Sequence, residues 1–296
     1  MSALPIAAVE RDTGIPKDTL RVWERRYAFP QPVRDDKGER LYPAEQVEKL
    51  RLLRRLLDQG HRPGSIVAAP TEALAALLEP AGERGREPAD PGIAALIDLV
   101  RLHRSAELRA TLQQHLVKLG LQRFVSELVA PLSRAIGEAW LHGEIGVAEE
   151  HLFTEHVQNL LRSSISSLGT GSRSPRILMT TLPGEEHILG LLMVEAMLAP
   201  EGVQCISLGA QTPLADIAQA ARDGQFDVVA VSFSAAFPAR QAFRGIEQLR
   251  DALPASIALW AGGAALHGKR KRIDKVQQIA QLDDLPDALA EWRKAN

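Results

Sequence analysis

Apolar positions recur along the chain with two different periods, and the change of period divides it. From Leu4 to about residue 78 they fall mostly at helical spacing. LPIAAVERDTG reads as a helix ended by Gly14, and Pro16 with Lys17-Asp18-Thr19 opens a second helix, TLRVWERRY. On that second helix Leu20 and Trp23 face inward with Tyr27, while Arg21, Arg25 and Arg26 project outward. PVRDDKGERLY follows as two short extended arms around a Lys37-Gly38 turn, and PAEQVEKLRLLRRLLDQGH as a third helix.

Residues 79–92, EPAGERGREPADPG, combine proline, glycine and charge in a way that forbids a continuous helix, and are expected to be a linker. Beyond it, apolar residues return at three- and four-residue spacing in IAALIDLVRL, LRATLQQHLVKLG, FVSELVAPLSRAIGEAW and EEHLFTEHVQNLLRSSISSL. Four such segments predict a four-helix bundle over 93–170. From 171 to 296 the pattern alternates instead. RILMTTL, VQCISLG, DVVAVSFS and SIALWAG are short apolar runs rich in β-branched residues, with helical patterns beginning near Glu186, Pro213 and Ala239 between them. A fifth strand around VQQIAQL and a final helix over LPDALAEWRKA complete a doubly wound, Rossmann-like parallel sheet. The expected class is therefore multidomain α and α/β: a head of helices and a hairpin over 1–78, a bundle, and a nucleotide-type sheet domain.

Composition narrows this picture. The chain carries a net charge of −2, but residues 1–66 hold 13 Lys/Arg against 10 Asp/Glu and are net basic, while the rest is net acidic. A mildly basic head on an acidic body fits a nucleic-acid reader attached to something else. The single cysteine, Cys205, rules out an internal disulfide framework or a thiolate cluster, and reads as a small core residue. The apolar stretches are strand-sized or interrupted by charge, and the start MSALPIAAVERD lacks a basic region and a cleavage site. A cytoplasmic protein with no membrane partner is expected.

In the head, TLRVWERRYAFPQPVRDDKGERLYPAEQVEKLRLLRRLLDQGHRPGSI closely resembles the winged helix-turn-helix of the MerR family. The resemblance rests on LRxWERRY, on the Gly-x-Arg-x-Tyr end of the wing and on the arginine-rich third helix. It implies a double-stranded operator DNA partner, with Arg21, Arg25, Arg26 and Tyr27 on the recognition helix and Arg34, Lys37 and Arg40 on the wing. Ala28 departs from the family, which commonly has Gly after the Tyr.

The loop after the first C-terminal strand is Pro183-Gly184-Glu185-Glu186-His187-Ile188-Leu189-Gly190. It falls where open α/β sheets bind ligands, and Glu185 can hold one imidazole nitrogen of His187 while the other stays free for a metal. Taken alone, a histidine in a loop is more often a surface residue. Glu185-x-His187-x-x-Gly190, however, resembles the cobalamin-binding motif (acidic)-x-His-x-x-Gly. The resemblance implies that His187 is the lower axial cobalt ligand and that Ser232, Ser234, Gly262 and Gly263 lie along the nucleotide tail. Ser234 stands where relatives commonly have Leu, so Ser232 carries more of the likeness.

Trp140, followed after nine residues by Glu150-His151, resembles the Trp-x9-Glu-His motif of the CarH/LitR-like B12-dependent photoreceptor regulators. Unaided, these would read as a core tryptophan and two solvated helix residues. The resemblance implies that Trp140, Glu150 and His151 recognise the 5′-deoxyadenosyl group of adenosylcobalamin. It also implies a repressor whose dark form is a tetramer on DNA and which light disassembles; a protein anti-repressor is the partner expected of a rival regulator that works as an apoprotein. Well-matched light sensors carry a His directly after the Trp. Here Leu141 stands there and His142 comes one residue later, about 100° further round a helix, where it is the candidate for the upper cobalt position.

Three other readings compete. A cobalamin enzyme would need a substrate domain for which too few residues remain, and no nucleophile–base pair stands out, so an enzyme is not expected. A regulator sensing cobalamin without light, or acting as an apoprotein, shares every motif above. A MerR-type metal or drug sensor with a degenerate C-terminal domain would bind no corrinoid.

Overall fold

A computed structural model describes residues 3–35, 38–58, 61, 63–78, 90–141, 143–169, 171–269 and 272–296. The chain divides into two compact units, Met1–Pro91 with Gly137–Val147, and Gly92–Ile136 with Ala148–Asn296.

In the first unit, β1 (Leu4–Pro5), α1 (Ile6–Thr13), α2 (Lys17–Tyr27), β2 (Val33–Arg34), β3 (Arg40–Tyr42) and α3 (Ala44–Asp58) follow in order, then α4 (Pro63–Ile66) and α5 (Thr71–Leu78). The strands form an antiparallel sheet in the order β1-β3-β2. Leu4 and Pro5 were expected to open a helix and instead pair with Tyr42 and Leu41. Pro5, with no N–H to give, caps α1 in an extended conformation. Gly14 ends α1 in the left-handed region at φ 65° and donates its N–H to the Glu10 carbonyl. The α1–α2 corner is held to α3 by the Arg51 guanidinium, which reaches both carboxylate oxygens of Asp12 at 3.1 and 2.9 Å. Val9, Leu20, Trp23, Leu50 and Leu53 form the core beneath it. This is a winged helix-turn-helix.

The second unit joins helices to a sheet. Helices α6 (Pro91–Arg101) and α7 (Ser105–Leu119) precede α8 (Leu121–Arg123), which runs through a π-helical stretch, Phe124–Val129, into α9 (Ala130–Leu141), whose residues from Gly137 on are grouped with the first unit; α10 (Val147–Ser167) follows. The π-stretch was not expected. Pro131 lacks an N–H and would crowd the carbonyl four residues back, and the wider turn, closed by Ala130 N–H on the Val125 carbonyl, absorbs it.

Strands β4 (Arg173–Thr180), β5 (Val203–Ser207), β6 (Val228–Ser232), β7 (Ala258–Gly262) and β8 (Val276–Ile279) form one parallel sheet in the order β5-β4-β6-β7-β8. Every residue of β6 is buried, which is why the central strand reads as a continuous apolar run. Helices α11 (Leu189–Leu198), α12 (Leu214–Asp223), α13 (Ala239–Ala252) and α14 (Leu285–Ala295) follow β4, β5, β6 and β8; α11 meets α14 and α12 meets α13. The chain leaves β4 outward to β5 and returns to the other side of β4 as β6. The carboxyl end of β4 is therefore the topological switch point, where such sheets open a crevice. α8 and the π-stretch pack on α11, and the Gln122 amide donates to the Met197 carbonyl at 2.8 Å.

No helix among the described residues is long and apolar enough to cross a membrane.

Candidate functional site

His187 stands in the loop between β4 and α11, at the switch point. Its ring Nδ1 lies 2.7 Å from Glu185 Oε1, and its backbone N–H donates to the same oxygen at 2.9 Å. Glu185 is buried, 1% exposed, and its other oxygen accepts the Ser234 N–H at 2.7 Å and the Ser234 hydroxyl at 2.9 Å. The carboxylate thus turns the loop as well as orienting the ring. For this reason α11 begins at Leu189, not near Glu186 as the apolar pattern suggests.

Burial pushes the Glu185 carboxyl up, but hydrogen bonds from the His187 ring, the His187 N–H and the Ser234 N–H outweigh it and hold its pKa below the ordinary value. The His187 pKa is raised, first by the bond to Glu185, against burial, and further by the charges of Glu185, Glu150 and Glu186. The imidazole is more than half exposed, and among the described residues Nε2 has no hydrogen-bond partner. The arrangement fixes the Nδ1–H tautomer and presents one basic nitrogen outward.

The neighbouring loop supplies support that the sequence reading missed. Gln211, at the carboxyl side of β5 with φ 58°, donates its backbone N–H to the Thr181 hydroxyl at 2.9 Å. Its side chain accepts from the Gly184 N–H at 3.2 Å and donates to Glu186 at 3.3 Å. Thr180 and Thr212 share a hydrogen bond at 2.7 Å beside them. A polar pair at the end of an apolar strand, Thr180-Thr181, is the signal that could have revealed this seam.

Gly190 and Ser232 are adjacent: a Cβ on Gly190 would stand 2.5 Å from the Ser232 hydroxyl. Only glycine leaves that space open. Gly262 and Gly263 have a packing role of their own. A Cβ on the first would stand 2.9 Å from the Ile279 carbonyl, and one on the second, at φ 108°, would overlap the backbone of Phe233. Ser234, the weaker candidate from sequence, is the one that touches Glu185 directly.

On α10, Glu150 bonds His151 Nδ1 at 2.7 Å with one oxygen and the Thr154 hydroxyl at 2.8 Å with the other. Its charge is among the smaller influences that raise the His187 pKa. His151 borders an open concavity of about 500 Å³ along the same helix with Ala148, Leu152, Thr154 and Glu155. Trp140 is half-buried in the last turn of α9, in the first compact unit. His142 lies outside the described residues.

These residues fit a corrinoid. Among the described residues no group of three or more His, Cys, Asp or Glu is placed to hold a metal ion. A metal already held by its own macrocycle needs one protein donor, and the exposed imidazole of His187, backed by its buried carboxylate, has the chemistry to offer one. Cys205 is no competitor: burial, then the charge of Glu195, push its thiol up to about 12.

In the head, the α2 arginines face outward. Arg21 pairs with Asp18 at 3.1 Å, Arg25 Nε donates to the Arg21 carbonyl at 3.4 Å, and the Arg26 guanidinium stands 5.4 Å over the Tyr27 ring. On the wing, Arg34 donates to the Gly38 carbonyl at 2.8 Å, closing the turn. Arg40 is engaged by Glu24 of α2 at 3.0 Å, so it ties the wing to the recognition helix. Lys37 lies outside the described residues.

Known proteins share these parts in this order. The family profile of MerR HTH family regulatory proteins matches residues 4–68, and two B12 binding domain profiles match 93–163 and 175–284. The HTH-type transcriptional repressor CarH of Myxococcus xanthus is 30% identical over 257 residues, covering 85% of this chain and 86% of that protein. The repressor CarA of the same organism is 30% identical over 269 residues, covering 90% and 89%. Among solved structures, the Methanosarcina barkeri monomethylamine corrinoid protein superposes with a TM-score of 0.55 at 16% identity, over 67% of this chain and 96% of that one, a likeness of fold alone.

Proposed function

The chain belongs to the CarH family of MerR-type, cobalamin-binding regulators, and we propose that it is a light-responsive repressor using 5′-deoxyadenosylcobalamin. One observation carries the cofactor reading: a histidine at the switch point, its Nδ1 held by a buried carboxylate and its Nε2 turned outward. In this reading residues 1–78 are the DNA-binding head, 79–92 the connection, 93–170 the helical cover and 171–296 the cofactor domain.

When bound, the cofactor supplies a weak cobalt–carbon bond that visible light breaks. The protein's residues do the rest. His187 would hold the metal through Nε2, with Glu185 keeping the proton on Nδ1. Ser234 holds Glu185 in place, and Gly190 keeps the crevice open beside Ser232. Trp140, Glu150 and His151 recognise the adenosyl group. While they hold it, the chain assembles as a dark tetramer whose several heads bind operator DNA with the gain of linked sites. When they lose it, assembly and DNA occupancy fall. The cytoplasm is the proposed compartment, and a protein anti-repressor is the partner of the alternative in which the chain works as an apoprotein.

Leu141, standing where well-matched light sensors have His, favours a second reading in which cobalamin is sensed without light. Size-exclusion chromatography with absorbance spectra, on protein loaded with adenosylcobalamin in the dark and then exposed to green light, decides between them. The photoreceptor reading expects a dark oligomer that shrinks as the spectrum changes. A spectrum that changes at constant size favours chemical sensing, and absence of corrinoid binding overturns both.

A further inference from the structure

We propose that Val22 reads a thymine methyl group in the operator, making it a base-specificity determinant within the DNA-binding function proposed above, on which this inference rests. At about 100° per residue, Val22 lies about 200° around α2 from Leu20. Leu20 and Trp23 are 0% and 4% exposed, whereas Val22 is 44% exposed and occupies the middle of the outward face. Arg25 and Arg26 lie one turn further on, Asp18 one turn before, and Arg21 directly precedes it.

The charged neighbours are engaged on their own helix: Asp18 with Arg21, Arg25 with the Arg21 carbonyl, and Arg26 with the Tyr27 ring. The valine methyl groups are the apolar surface this face presents. Helix formation does not call for them, because a β-branched residue at an exposed helix position is less favourable than the straight-chain alternatives. What valine offers is rigidity. In a helix its χ1 is confined to one rotamer about 90% of the time, so its methyls are aimed before any partner arrives.

A surface with guanidinium groups to either side and two fixed methyls between them matches the major groove. The groove has phosphates along its rims, and the apolar group on its floor is the C5-methyl of thymine. Burying one methyl group corresponds to about a fourfold change in affinity.

The test uses the full-length protein loaded with adenosylcobalamin in the dark. The probe is a duplex selected by this protein from random-sequence DNA, with each thymine replaced in turn by deoxyuridine, which lacks only the methyl. The parent is expected to lose about fourfold in affinity at one or two positions. Val22→Ala, at an exposed site and checked for its fold by circular dichroism, is expected to bind the thymine and uracil duplexes alike, with the parent's salt dependence. The inference is overturned if the parent is indifferent to every replacement, or if Val22→Ala discriminates as the parent does. If the parent selects no duplex at all, the DNA-binding reading falls and takes this inference with it.

Discussion

Glu185 grips His187 twice with one oxygen, taking the ring Nδ1 at 2.7 Å and the backbone N–H at 2.9 Å. A single buried carboxylate therefore sets the ring's tautomer, its direction and the path of the chain that carries it. The remaining oxygen is satisfied by Ser234, 49 residues further on.

Removing the charge while keeping the shape tests this directly. Glu185→Gln can still face the ring, but its amide is a weaker acceptor and can present N–H to Nδ1 instead. Loss of such a supporting group lowers metal affinity about 10- to 100-fold. We expect that decrease in an absorbance titration with cobalamin. Ser234→Ala, which leaves one Glu185 oxygen with the backbone N–H alone, is expected to cause a smaller decrease. Equal affinities in all three proteins would remove Glu185 from its supporting role.

The same pair predicts a pH signature in the apoprotein. The folded pKa of His187 is raised above 6.5, so its stabilisation is fully present below that pH and is lost as pH rises through the folded value. The folded pKa of Glu185 is lowered below 4.5, so its stabilisation is present above that pH and is lost as pH falls through the folded value. The urea midpoint of the parent minus that of His187→Ala is therefore expected to be largest between about pH 4.5 and 6.5 and to shrink on both sides. The ring is more than half exposed, so the difference is a modest one. A difference that grows steadily toward alkaline pH contradicts the pairing.

The sequence shows the architecture because a Pro- and Gly-rich stretch breaks the helical period and the period itself changes after residue 170, and His187 because its partner is only two residues away. What it hides is long-range. That Ser234 closes the carboxylate depends on β6 ending beside β4. That Gln211 stitches the loop depends on the carboxyl end of β5 lying alongside. Arg40 looks like one more phosphate-binding arginine until the wing folds back and Glu24 meets it. The π-stretch needs a proline read for the carbonyl it displaces rather than as a bundle residue with neighbours three and four apart.

Ala28 ends α2 in the left-handed region, at φ 53° and ψ 26°, a conformation that favours glycine. An L-residue there costs about 1–2 kcal/mol, and glycine returns part of that through its larger unfolded-state freedom, about 0.5–1 kcal/mol. Ala28→Gly is therefore expected to stabilise the protein by about 0.5–1 kcal/mol in denaturant unfolding. A destabilised variant would show that the methyl group packs against something that offsets the strain.

The wing and recognition helix separate arginines free to meet DNA from one already committed. A cation that neutralises a phosphate releases counterions, and removing one such cation lowers the slope of log affinity against log salt by about 0.9. Arg21, Arg25 and Arg34 make exposed hydrogen bonds that a phosphate can displace. Alanine at each is expected to weaken operator binding and flatten that slope without moving the melting temperature. Arg40 and Glu24 are each less than a third exposed, and replacing one strands the other. Arg40→Ala is accordingly expected to cost about 1 kcal/mol of stability. Its effect on DNA should come through a loosened wing, and Glu24→Gln, which keeps a weaker partner, should reproduce part of it. Anisotropy titrations at several salt concentrations, alongside melting curves, separate the two classes. If Arg40→Ala flattens the slope as much as Arg34→Ala does, with no loss of stability, its partner is the phosphate backbone and not Glu24.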